Sequence, residues 1–298
     1  MEEIKITFLG TGNHIPTAEH NHTSILAALG SQNILIDCGE GTQRQLRIAQ
    51  ISPTKIDKIL ITHWHGDHIL GLPGLFQTLY MMDYKKTLKI YGPKGTGYFI
   101  SLLQKLVGHI NIKLEVHEVS GKFIEEKDFY IEAKSMSHGT PANAYSIVLK
   151  DKRRLDKNKL RKLKLPNIPI IRNLQMGKDI VINSKKIKAS SVSFIEKGKK
   201  ATFVLDTGMN QNAIALAKNS DLLVIESAFS SQDAAKAKEY LHLTATDAAT
   251  IAKKAKVKKL ILTHISQRYE HNPGIIEKEA KKIFKNTTLA KDFDSITI

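Results

Sequence analysis

Four side chains able to ligate a metal crowd into the string HWHGDH at 63–68: His63, His65, Asp67 and His68. Neutral imidazole nitrogens and carboxylate oxygens suit zinc, and a site with three protein ligands keeps a position open for water. Four such groups within six residues cannot all reach one ion from a regular strand or helix. A turn that sends His63 and His65 one way and Asp67 and His68 the other points to two ions side by side. Gly66 reads as the residue that gives this turn its backbone freedom. The bland alternative is a solvated loop rich in histidine, and the apolar run directly before the string speaks against it.

That run belongs to a pair. KILITH at 58–63 is echoed by KLILTH at 259–264, and ILIDCG at 34–39 by FVLDTG at 203–208. Each is an apolar, β-branched stretch that reads as a buried strand ending in a polar residue. Strand ends in such sheets face the crevice where ligands bind. A chain that brings an Asp and then a His to a strand end, once in each half, looks like a duplicated βα unit. His138 follows FYIEAKSM, another strand-like run, so the ends of several strands offer further ligands. His14, His20, His22, His109, His117 and His271 lack such company and read as ordinary histidines.

HxHxDH after a strand resembles the signature of the metallo-β-lactamase superfamily. That resemblance implies an α/β chain in a four-layer αββα sandwich, built from two pseudo-equivalent halves with two metals at one edge. LGTG (9–12), DCGEGTQRQL (37–46), ISPTKID (51–57), THWHGDHILGLPGL (62–75) and LTHISQRY (262–269) narrow it. Together they are similar to ribonuclease Z, the endonuclease family that removes the 3′ trailer from precursor tRNA. The similarity runs through nearly the whole chain in the family's order.

The resemblance implies a ligand set. His63, His65 and His138 would hold one zinc, Asp67, His68 and His264 the other, and Asp206 would bridge them. Asp67 would also take the proton of the attacking water. His242 matches the general acid for the leaving 3′-oxygen and Glu226 the carboxylate that orients it, although the strings read IESA and HLT where the family has His-Glu-Ala-Thr and His-Ser-Thr. Thr244 to Asp247 carries a helix N-cap signal just after His242. Asp37 matches a position that orients a metal ligand by hydrogen bonding. Ser266, Arg268 and Tyr269 would contact the acceptor end, with Arg suited to a phosphate and Tyr to a base. In the loop that senses the CCA end, Pro16 and Asn21 match the family, whereas Ala18 and His20 replace a Lys and an Arg.

Composition agrees with an anionic partner. The formal net charge is +16 over 298 residues and the pI about 9.6, and neutralising phosphates releases counterions. The basic residues concentrate in KDKRRLDKNKLRKLK at 150–164, between the two halves. Leu155, Leu160, Leu163 and Leu165 give it a sparse apolar stripe, which predicts a short, poorly buried helix. The chain is therefore expected to be a single domain over 1–298 with an inserted arm at 150–180. By resemblance the arm is an exosite that grips tRNA through Lys152, Arg153, Arg154, Arg161 and Lys162, although Asn167-Ile168-Pro169 lacks the family's glycine. A homodimer, in which one subunit's arm holds the tRNA that the other cuts, is the family's arrangement.

The single cysteine, Cys38, excludes an internal disulfide and fits a reducing cytosol. No apolar stretch approaches membrane-spanning length, and the first residues read as a strand, so a cytoplasmic enzyme without membrane contact is expected. Two other readings compete. A different hydrolase of the same fold (a phosphodiesterase, an arylsulfatase-like enzyme or a thioesterase) would need the metal turn but neither the arm nor LTHISQRY. An RNA-binding protein on a decayed enzyme scaffold would be expected to have lost ligands, and here all are present.

Overall fold

The computed structural model describes residues 3–108, 111–163, 169–182 and 184–298. His109, Lys164, Leu165, Asn167 and Ile168, all named above, lie outside them. The chain divides into two compact units, one of Met1–Ile147 with Lys200–Ile298 and one of Val148–Lys199.

Two seven-stranded sheets dominate the larger unit among the described residues. The first runs in the order Ser295–Thr297, Ile4–Gly10, Ser24–Leu29, Gln32–Ile36, Lys58–Leu60, Thr87–Gly92, Lys113–Glu118. The second runs Thr287–Leu289, Lys259–Thr263, Leu222–Glu226, Lys200–Val204, Ala142–Leu149, Phe129–Met136, Gly121–Glu125. Each has a parallel segment of four strands: Gln32–Ile36 through Lys113–Glu118 in one, and Lys200–Val204 through Thr287–Leu289 in the other. Strands buried on both faces read as continuous apolar runs, which is why KILIT and KLILT look alike.

Side chains alternate between the two faces of each strand. Leu35, Ile59, Ile61 and Ile90 pack outward against Leu72, Leu75, Phe76 and Leu79 of helix Leu72–Met81 and Ile100 and Leu103 of helix Thr96–Val107. In the second half Leu223, Ile225, Leu260 and Leu262 pack against the alanine-rich helix Ala245–Ala255. The sheets meet each other directly: the buried Tyr145 hydroxyl donates to the Ile61 carbonyl at 2.6 Å, and the Asn143 amide to that of Thr62 at 2.8 Å. Helix, sheet, sheet, helix is the four-layer sandwich. Its halves are not identical. The Asp37 and His63 strands are immediate neighbours, whereas the strand ending in Glu226 lies between those of Asp206 and His264.

The smaller unit corrects one expectation. Among the described residues of the basic stretch only Lys157–Lys162 is helical, with Asp156 capping it by accepting from the amides of Asn158 and Lys159. The residues before that cap, Lys152–Leu155, form a strand paired antiparallel with Ser193–Glu196. The partner strand is some forty positions away, so the local periodicity carries no sign of it. Leu155 and Leu160 pack against a small cluster of Ile171, Leu174, Ile180, Ala189 and Val192, and Leu163 stays exposed.

Candidate functional site

Strand Lys58–Leu60 delivers His63, which is fully buried, and the next residues turn into the short helix Gly66–Ile69. Gly66 has no left-handed backbone; it opens this helix. The glycines that the turn depends on are Gly39 and Gly71. A Cβ on Gly39 would stand 2.5 Å from the Asp67 carbonyl, and one on Gly71 2.1 Å from the Gly39 carbonyl. That approach allows the Cys38 amide to donate to the His68 carbonyl at 2.8 Å and the Gly71 amide to the Cys38 carbonyl at 2.9 Å.

Two groups of four ligand atoms result, His63, His65, His138 and Asp206 in one, and Asp67, His68, Asp206 and His264 in the other, with His264 also close to Glu226 and His242 in a third group of three. His65 Nδ1 lies 3.1 Å from both His63 Nε2 and His138 Nε2, and His68 Nε2 lies 3.2 Å from His264 Nε2. Asp206 faces both groups, with Oδ2 3.5 Å from His63 Nε2 and Oδ1 3.1 Å from His264 Nε2. Asp67 Oδ2 is 3.3 Å from the Nε2 atoms of His68 and His264. Ligands at ~2.0–2.1 Å around a tetrahedral zinc stand roughly 3.3 Å apart, so these spacings fit such an ion in each group. Asp206 Oδ1 is buried without a hydrogen-bond donor, as expected of an atom kept for a metal.

The electrostatics agree with the donor set. Burial, then the neighbouring His68, holds His63 well below the ordinary histidine range, and burial and His138 lower His65, so both are neutral. Burial opposes ionisation of Asp206, but His264, His68 and His63 outweigh it and keep the carboxylate charged. Burial also opposes a charged His68, and Asp206, Asp37 and Asp67 overcome it. A cation in the second group would compensate the same three carboxylates.

Asp37 is hydrogen-bonded to His68 directly and to His63 through Thr62. Its Oδ2 accepts from His68 Nδ1 at 2.6 Å and from the Thr62 hydroxyl at 2.6 Å, and its Oδ1 accepts from the Thr62 amide at 2.7 Å. Because the Thr62 proton is committed to Asp37, His63 Nδ1–H donates to the Thr62 oxygen at 3.1 Å, leaving Nε2 bare for a metal. Asp37, Asp206, Leu241 and His264 all have left-handed backbones, with φ of 57°, 45°, 55° and 57°. Non-glycine residues held there cost about 1 kcal/mol or more each and cluster at functional sites.

Glu226 ends its strand fully buried and accepts from the Thr207 amide (2.6 Å), the Leu243 amide (3.2 Å) and His242 Nδ1 (3.0 Å). Burial disfavours a charged His242, but Glu226, by charge and hydrogen bond, lifts it to about 9. The His242 ring lies 5.3 Å from that of His138 and 5.6 Å from that of His264, next to both groups. The capping box of helix Ala245–Ala255 is present, Thr244 and Asp247 bonding each other's backbone.

Several contacts of the candidate site had no sequence signal. Thr62 is one, and the Leu241 carbonyl, which accepts from His138 Nδ1 at 3.3 Å, is another. His14 reads as an ordinary histidine yet stands 3.2 Å from Asp67 Oδ1. The residues proposed for RNA contact are variously engaged. Ser266 is buried; Arg268 pairs with Asp233 at 3.2 Å over the Phe229 ring; and the Tyr269 hydroxyl donates to Asp233 at 2.6 Å. Arg153 donates to the Ser193 hydroxyl and Arg154 to Glu196, Lys152 lies on the same strand, and Arg161 and Lys162 are exposed on their helix.

The chain is similar to known proteins over its full length. A ribonuclease Z of Bacillus velezensis is 38% identical over 306 residues, 99% of each chain. A ribonuclease Z of Nanoarchaeum equitans is 39% identical over 266 residues, 89% of this chain and 84% of the relative. The crystal structure of the short form of human tRNase Z superposes with a TM-score of 0.71 at 26% identity, covering 98% of both chains. The profile of the family described as Anti-Pycsar protein Apyc1 matches residues 4–111.

Proposed function

The chain belongs to the ribonuclease Z family, and from that premise we propose that it is a zinc-dependent endoribonuclease that removes the 3′ trailer of precursor tRNA. The observation that carries the reading is the pair of ligand groups sharing Asp206 beside the Glu226–His242 pair. His63, His65 and His138 would hold one zinc ion, Asp67, His68 and His264 the other, and Asp206 both. Two such ions supply Lewis-acid stabilisation of an in-line displacement at phosphorus and lower the pKa of water.

The protein's own groups do the rest. Asp67, which stands in the second ligand group, accepts the proton of the attacking water. Glu226 holds His242 by Nδ1, so that Nε2–H is the donor left for the departing 3′-oxygen. Protonation there yields a tRNA with a free 3′-OH, and the trailer keeps the 5′-phosphate. Lys152, Arg153, Arg154, Arg161 and Lys162 of the Val148–Lys199 unit form the tRNA exosite, and Ser266, Arg268 and Tyr269 the acceptor-end contact.

The enzyme works as a cytoplasmic homodimer. Among the described residues no helix is long and apolar enough to cross a membrane. The free Cys38 thiol is buried and pushed up to about 12 by that burial, which makes it inert. Helices Leu72–Met81 and Thr96–Val107 bury one face and leave Tyr80, Met81, Tyr98, Leu102 and Leu106 exposed, an apolar patch suited to a second copy.

The test is cleavage of a 3′-extended precursor tRNA lacking CCA by the zinc-loaded protein, mapped to the nucleotide, beside a chromogenic phosphodiester. A variant with residues 148–199 replaced by a short linker runs in parallel. A single cut near the discriminator, lost with that unit while the small ester is still hydrolysed, is expected. Hydrolysis of the ester by an intact protein that leaves the tRNA whole would overturn the assignment.

A further inference from the structure

We propose that His14 is a positioning residue for the second ligand group, its Nδ1–H fixing Asp67 so that only Oδ2 faces His68 and His264. The inference rests on the reading of Asp67 as a metal ligand. Its side chain is 78% exposed, yet Nδ1 reaches the buried Asp67 Oδ1 at 3.2 Å. No ring nitrogen of the ligand group approaches that oxygen within hydrogen-bond distance; those of His68 and His264 meet Oδ2, both at 3.3 Å. A carboxylate free to rotate could present either oxygen, or both. One donor on Oδ1 selects monodentate binding and the direction of the remaining lone pairs.

The histidine is placed there by a built loop. One half-buried carboxylate, Asp292, pins both ends of it, with Oδ1 accepting from the Thr11 amide and hydroxyl at 3.0 and 2.7 Å and Oδ2 from the Asn21 amide at 2.8 Å. Inside these ends the Gly12 amide donates to the Asn21 carbonyl at 2.8 Å. The Asn13 amide donates to Ile265, next to the ligand His264, at 3.3 Å. The His14 carbonyl accepts from Nε2 of the buried His22 at 3.2 Å. Bonds on both sides of His14 thus restrict the backbone from which its side chain reaches Asp67.

The proposal is tested on the full chain, stripped of metal and titrated with zinc(II) against a chromogenic chelator. For His14→Ala one of two binding steps is expected to weaken by about 10–100-fold, the range seen when a ligand loses its hydrogen-bond partner, while the other is unchanged. His14→Asn, whose side-chain amide can donate to the same oxygen, should recover most of the loss. At saturating zinc, kcat for a small phosphodiester should fall in His14→Ala with KM nearly constant. Unchanged zinc affinity in His14→Ala overturns the inference while leaving the metal site standing. Failure of His14→Asn to recover, or a lowered Tm of metal-free His14→Ala, assigns the residue to loop packing and also overturns it. A wild-type chain that binds no zinc overturns both this inference and the reading it rests on.

Discussion

At the scale of single residues, the site is organised by buried carboxylates that each serve several donors. Glu226 sets the proton affinity of His242, and the sign of the consequence is fixed. A histidine raised to about 9 stays protonated through neutrality, so a rate that needs its proton declines only on the alkaline side. Bound cations would bring that limb somewhat below 9. Glu226→Gln removes the charge, and the alkaline limb of the pH–rate profile should move acidward by about one unit or more, each unit being about 1.4 kcal/mol. The same pair contributes stability that is complete below the unfolded histidine value near 6.5 and lost as pH rises through about 9. Asp37→Asn should be costlier to the fold. Three donors converge on Asp37, so an amide must turn its own N–H toward one of them. A loss of about 1–3 kcal/mol in urea unfolding is expected, with zinc affinity down about 10–100-fold.

At the scale of elements, strand ends and helix starts decide where these residues stand. Helix Ala245–Ala255 begins at Thr244, two residues after His242, and its capping box settles the direction in which the chain enters. Thr244→Ala should cost about 1 kcal/mol of stability, measured by chemical denaturation. Turnover should fall more than that loss accounts for, because the loop carrying His242 and the Leu241 carbonyl beneath His138 would be released together. The strand ending in Glu226 occupies the place in the second half that has no counterpart between the Asp37 and His63 strands. The departure from exact duplication is therefore what brings Glu226 and His242 alongside the candidate ligand groups.

At the scale of the whole molecule, charge and chemistry are separable. A net charge of +16 should make precursor-tRNA cleavage strongly dependent on ionic strength, while hydrolysis of a small phosphodiester changes little between about 50 and 200 mM salt. Arg161→Ala with Lys162→Ala, at exposed helix positions, should raise KM for tRNA several-fold and leave the small ester untouched. Equal effects on both substrates would place those side chains outside tRNA recognition. Arg153 and Arg154 are less clean probes, since each is tied to the neighbouring strand through Ser193 or Glu196.

By itself the sequence pointed to the residue types of the candidate site, their order and the strands that carry them. Continuous apolar runs and the HWHGDH spacing are local properties, and local properties survive in one dimension. The capping box was legible for the same reason. Only the tertiary structure decided which way each carboxylate points, that Thr62 relays Asp37 to His63, and that Lys152–Leu155 is a strand and not the start of a helix. It also decided that His14 lies on Asp67, 53 positions further along the chain. These are pairings across long separations, made by backbone approaches at Gly39 and Gly71 and by buried carboxylates seeking donors. Such pairings depend on where the sheets bring their ends together, and nothing local to the residues records them.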